Sequence, residues 1–165
     1  MKLVCPKLFK SRNKQSGFTL IEILVVIGIL AVLFAVVLIA INPARQFQQA
    51  NDTKRASDVN AILNAIHQYA ADNKGSLPAG IDTTVRTITN DAAVANSVDL
   101  CADLVTQYLA GLPVDPTSGT PSNGAPVTDC TSAYNTSYTV VSSSTDNRVT
   151  VSATGQITNP ISVTR

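Results

Sequence analysis

Nineteen consecutive residues, 23–41, carry no polar side chain. With the apolar residues that precede them from Phe18, and at about 1.5 Å of rise per residue, they make a helix of roughly 28 to 36 Å. The hydrocarbon core of a bilayer is about 30 Å thick, so the run reads as a membrane span. A secretory signal would offer a shorter apolar region, about 7 to 15 residues, ending in a small-x-small cleavage site. Leu38, Ile39 and Ala40 provide no such site, and the segment is expected to stay in the protein. Lys2, Lys7, Lys10, Arg12 and Lys14 precede it without one acid, so the first seventeen residues carry +5 and the rest of the chain, whose total is +1, carries −4. Basic residues on that side only predict a cytoplasmic amino end and an outside remainder. Charged residues make up just 14% of the 165, and this patterning excludes a soluble cytoplasmic enzyme, a disordered tail and a nucleic-acid binder with a basic body.

Beyond the span, Asn42-Pro43 suits a helix cap and first helical position. Phe47, Ala50, Ala56, Val59, Ile62, Leu63, Ile66, Tyr69 and Ala70 then recur mostly at three- and four-residue spacing, while Gln48, Asp52, Lys54, Arg55, Asp58, Asn64 and Asp72 take other positions. The spacing predicts an amphipathic helix to about Asn73, stopped by Lys74-Gly75 and Pro78. If Pro43 bends rather than breaks it, span and helix form one rod of about 80 Å. From Ser76 charges thin out and Thr, Ser, Asn and Gly dominate. A short helix is expected over 97–110, a long loop over 111–136, and an antiparallel meander from runs at 138–142, 148–154 and 157–163. So small a sheet needs a helix to pack on. The expected class is α+β, organised as a basic leader (1–17), a span (18–41), an amphipathic helix (42–75) and an outside head (76–165).

Glu22 is the only Glu in the chain and sits about one turn into the apolar segment. Insertion scales put the cost of such a carboxylate at about 2.5 to 3.5 kcal/mol, so it needs a partner, a task, or a place near solvated headgroups. Its surroundings read Lys14-Gln15-Ser16-Gly17-Phe18-Thr19-Leu20-Ile21-Glu22-Ile23-Leu24-Val25-Val26-Ile27. This string resembles the class III signal and first helix of type IV pilins and of the related type II secretion pseudopilins. The resemblance is close over residues 10–41 and continues in organisation to Pro78. It implies a type IV pilin-like fold, cleavage by a prepilin peptidase between Gly17 and Phe18, and N-methylation of Phe18. It also implies a homo-oligomeric helical filament, built from the membrane pool by an inner-membrane assembly platform. Physically, cleavage would leave an amine four residues from Glu22, and in a staggered assembly one subunit's Glu22 meets the next subunit's Phe18 amine. Gly28, Ala31 and Ala35 suit close helix approach or are ordinary membrane composition. The family often places a Pro inside the apolar segment, where Ile39 stands here.

The remaining chemistry is sparse. Cys5 lies in the leader, with no apolar region before it to mark a lipoprotein. Cys101 and Cys130 lie in the outside part, where a disulfide would close a loop of about thirty residues worth roughly 3 to 4 kcal/mol; two free buried thiols are the alternative. His67, the only histidine, is mid-helix. The sequence has no Ser/His/Asp arrangement, CxxC pair or phosphate loop, so neither an enzyme nor a cofactor is expected. Leu112-Pro113-Val114-Asp115-Pro116 resembles a turn found in some pseudopilins near a calcium loop, which would enlist Asp115 with Asp129 or Asp146; a plain Asx-turn is the other reading. The leading expectation is a structural subunit of a type IV pilus. Its alternatives are a pseudopilin of a secretion or DNA-uptake apparatus, and a single-span anchored binding module that never polymerises.

Overall fold

The computed structural model describes residues 17–40, 42–122 and 124–165. The leader residues 1–16, Cys5 among them, and Ile41 at the end of the span lie outside that set. The chain divides into two compact units, residues 1–43 and 44–165.

In the first unit, α1 (Leu20–Ala40) is helical over twenty-one residues, and its one charged side chain is Glu22 in the first turn. Leu20–Ile39 is long and apolar enough to cross a membrane, and none of it is buried within the chain. Side chains such as Leu24, Val32 and Phe34 are therefore exposed in a single copy.

The second unit is α+β. Helix α2 (Pro43–Asp72) opens on Pro43, whose missing amide proton would be unpaired in a first turn anyway. It closes on Lys74 and Gly75, both at positive φ, with the Gly75 amide donating to the Ala70 carbonyl at 2.7 Å. That i to i+5 bond is the Schellman closure, and a lysine rather than the glycine takes its left-handed position. Five strands follow: β1 (Arg86–Thr89), β2 (Ser97–Val98), β3 (Asn135–Ser142), β4 (Val149–Ala153) and β5 (Ile161–Thr164), in the order β2-β1-β3-β4-β5. The last three form the expected antiparallel meander, with Val140 opposite Val151 and Val151 opposite Val163. Alternation along β3 and β4 turns Tyr138, Val140, Val149, Val151 and Ala153 into the core, where they join Val59, Ile62, Leu63 and Ile66 of α2.

Three expectations are corrected. The helix expected over 97–110 shrinks to a single turn, α3 (Cys101–Leu104), because Ser97 and Val98 pair with β1 as a parallel strand and the chain turns extended at Val105. The sheet is therefore mixed, not purely antiparallel. The run at 157–163 is strand only from Ile161; the preceding residues form a loop, kept tight by Gly155, where a Cβ would overlap the Thr158 carbonyl. Lastly, the face of α2 differs from its sequence pattern. Phe47, expected on the apolar side, is 73% exposed, whereas Asp52 and Arg55, expected elsewhere, are buried.

Candidate functional site

Gly17 and Phe18 precede α1 outside any helix or strand, and both are exposed. A Cβ at Gly17 would meet nothing within 4 Å, so packing inside this chain gives no reason for a glycine there. The Phe18 side chain is 77% exposed. Thr19 and Glu22 cap the helix reciprocally: the Glu22 amide donates to Thr19 Oγ1 at 3.3 Å, and the Thr19 amide donates to Glu22 Oε2 at 3.4 Å. This is a capping box, which satisfies two of the amides that a helix start leaves unpaired. The signal Thr-x-x-Glu is present in the sequence, and the reading of Glu22 as a charge in need of a partner passed over it. Both bonds are long and exposed, so the carboxylate is held at the helix start, where the dipole favours an anion, while staying open to a stronger donor.

The second cluster belongs to the head. Arg55, 2% exposed, donates from Nε to Asp115 Oδ2 at 2.6 Å and from Nη2 to Asp115 Oδ1 at 3.1 Å. It also donates from Nη1 to Asp52 Oδ1 at 2.8 Å and from Nη2 to Thr117 Oγ1 at 2.6 Å. Asp52 in turn accepts the consecutive backbone amides of Gln156, Ile157 and Thr158 at 2.8, 2.7 and 3.1 Å. Asp115 accepts those of Thr117 and Ser118, the Asx-turn read in the sequence. Burial pushes both carboxyls up, but the amides and Arg55 outweigh it and hold each well below the ordinary carboxylate range. The Asp115 pairing pushes the guanidinium above its ordinary value despite burial. One arginine thus fastens two loops to α2.

Arg55 and the turn amides between them engage both carboxylate oxygens of Asp115. Asp129 accepts from Thr131 and Ser132, and Asp146 from the Arg148 amide, each within its own turn. Among the described residues no group of three His, Cys, Asp or Glu side chains converges on a common point. His67 Nε2 is buried without a hydrogen-bond partner on the half-buried flank of α2. Cys101 and Cys130 are joined in a disulfide with Cα atoms 5.5 Å apart, fastening α3 to the 111–136 segment. That segment is a stitched loop: Leu112 and Val127 exchange amide bonds at 2.8 Å, as do Thr120 and Asn135 at 2.7 and 3.1 Å. Farther round the core, Tyr138 donates its hydroxyl to Asp58 at 2.8 Å and Tyr134 to Asp99 at 2.7 Å.

Residues 12–38 match the family model described as the prokaryotic N-terminal methylation motif. The chain is similar to the type II secretion system core protein G of Pseudomonas aeruginosa, 37% identical over 108 residues, which cover 64% of this chain and 70% of that protein. The core protein G of Escherichia coli is 33% identical over 109 residues, 65% of this chain and 70% of the relative. That of Aeromonas hydrophila is 40% identical over 62 residues, covering 38% and 42%. No solved structure gives a significant match.

Proposed function

Because this chain belongs to the type IV pilin and type II secretion pseudopilin family, we propose that it is a pseudopilin, a structural subunit that polymerises into a short envelope filament of a secretion apparatus. The carrying observation is the likeness to core protein G over 108 residues. The methylation motif at residues 12–38 is shared by pilins and pseudopilins and does not separate them; a match far longer than the motif favours the second. This moves the reading from the type IV pilus expected first to its stated alternative. An anchor that never polymerises would need neither the Gly17-Phe18 junction nor Glu22.

In this reading the basic leader holds the junction at the cytoplasmic face, and a prepilin peptidase removes residues 1–17 and methylates the Phe18 amine. Residues 18–41 hold the subunit in the inner membrane, head outside, until an assembly platform extracts it. The new amine and the Glu22 of a neighbouring subunit then offset each other's desolvation, in one register only. Glu22 exchanges its long bond to the Thr19 amide for a charge-assisted one.

Deleting the gene tests this. Loss of export of folded proteins with surface motility intact is the expected result, and in the undeleted strain overexpression of the secretion genes should yield envelope filaments of this subunit. Loss of surface filaments and motility with export intact would return the reading to a type IV pilus. Intact mass of the filament subunit should begin at a methylated Phe18; retention of residues 1–17 would overturn the processing step.

A further inference from the structure

Phe47 is the one large aromatic of α2 that the fold leaves bare, at 73% exposed, although its spacing places it with the core-forming residues of that helix. The residues of α2 around it, from Pro43 to Ala50, are all exposed, and Asn51, where burial on the helix begins, is bonded to Gln156 at 3.2 Å. On the other flank of the same helix lies an open groove of about 570 Å³ between α2 and the loop and strand at 157–162. Four of its ten lining residues are apolar, Ala56, Ile157, Pro160 and Ile161, and the other six, Arg45, Gln49, Asp52 and Ser162 among them, are polar or charged. Ile157 is itself 44% exposed. A void of about 150 Å³ already holds a benzene ring, so the groove has room for a phenyl group with solvent to spare.

The two features are arranged as plug and socket. Gln49 and Ala56 stand two and nine residues from Phe47, which at 3.6 residues per turn is about half a turn around the helix in both cases. The ring therefore faces away from the groove of its own chain and cannot fill it. Two different patches on opposite flanks of one element make a head-to-tail contact, the kind that propagates as an open helix rather than closing into a symmetric dimer.

We infer that Phe47 of one copy seats in the groove between α2 and residues 157–162 of the next copy, a lateral contact of the filament made outside the membrane. The inference rests on the polymerising reading given above and adds a residue-level contact to it. Burial of the ring and of Ile157, Pro160 and Ile161 supplies apolar area. The groove exists because Asp52 draws the 156–158 amides onto α2, so a buried charge network shapes an external binding surface.

The test uses the full chain assembled by its own secretion machinery, with the Cys101–Cys130 disulfide intact. A Phe47→Cys, Ser162→Cys double variant, oxidised in assembled filaments, is expected to give a ladder of covalent dimers, trimers and higher species, and either single variant none. Phe47→Ser should cut filament yield at least tenfold while Phe47→Leu retains most of it. Normal wild-type filaments without a ladder, together with normal yield from Phe47→Ser, would overturn the contact and leave the ring to another occupant, such as the membrane surface. Absence of any wild-type polymer under the same overexpression would instead overturn the filament reading, and the contact with it.

Discussion

Arg55 lies in the core of the head with two carboxylates, a hydroxyl and, through Asp52, three backbone amides around it, whereas Glu22, the one charge of α1, meets the Thr19 amide at 3.4 Å in the open. The head answers its buried charges within one chain. The first unit does not: its apolar side chains are exposed along the whole helix, and its carboxylate has an unused capacity for a cation. The head is completed from within, whereas the first unit leaves an apolar surface and a carboxylate for contacts outside the chain.

Glu22→Ala strikes that contrast hardest. The variant should still insert, since a more apolar span inserts at least as well. It should still be cut, because the Gly17-Phe18 junction is intact. Filaments should then be lost or greatly reduced, the buried amine being left unpaired at a cost of about 3 to 5 kcal/mol per subunit. Glu22→Asp, with shorter reach, should give an intermediate yield. The ratio of sheared filament to membrane pool, with cleavage checked by mass, is the measurement; normal yield from Glu22→Ala would break the comparison.

In the head the matching change is Arg55→Met. It leaves Asp52 and Asp115 buried with their amides but without the cation, and should cost about 3 to 5 kcal/mol in denaturant unfolding of the processed chain in detergent. Adding Asp115→Asn should recover part of that loss. Processing at Gly17 should be unchanged, because the leader and the span are untouched. Cys101→Ser comes next, at about 3 to 4 kcal/mol from the unfolded side. Filament subunits unfolded without reductant should show no free thiol, as Cys5 leaves with the leader; two alkylated cysteines per subunit would refute this.

How much of this was readable follows from where each signal sits along the chain. The span and the C-terminal meander were legible because their signals are local: an unbroken apolar run at 23–41, and alternation through Tyr138, Val140, Val149 and Val151. The capping box has an equally local signal in Thr19 and Glu22, yet reading Glu22 only as a charge in need of a partner misses it. By contrast, Arg55 finds Asp115 sixty residues away, and Asp52 finds three main-chain amides near residue 157, groups that carry no side-chain signature at all. Strands β1 and β2 escaped notice because each buries a single strongly apolar residue, Ile88 and Val98, too few to show a period. Phe47 matches the helical period, which places it inside; the period records which side of a helix is apolar, and residues 43–50 of α2 are all exposed, burial beginning only at Asn51.

The smallest effect expected concerns pH and separates two kinds of buried acid within the head. Asp52 and Asp115 are held below the ordinary carboxylate value of about 3.9, so the stability they contribute is complete above that value and is lost only as pH falls beneath it. Asp58 is opposite: burial raises it, and the Tyr138 hydroxyl and the Lys54 charge pull it back only in part. A carboxyl that binds its proton more tightly when folded adds stability as pH falls through its raised value, before the other two begin to protonate. Thermal unfolding of the processed chain should therefore show a shallow maximum on the mildly acidic side and then a steep decline. Asp58→Asn keeps an acceptor for the Tyr138 hydroxyl and removes the titration, so it should flatten the maximum and leave the decline in place. Arg55→Met should do the reverse and move the decline to higher pH, because both carboxyls lose the cation that helps hold them down. A decline that stays where it was in Arg55→Met would mean that the amides of residues 156–158 and 117–118 alone set these acids, and that the guanidinium is not what closes the head.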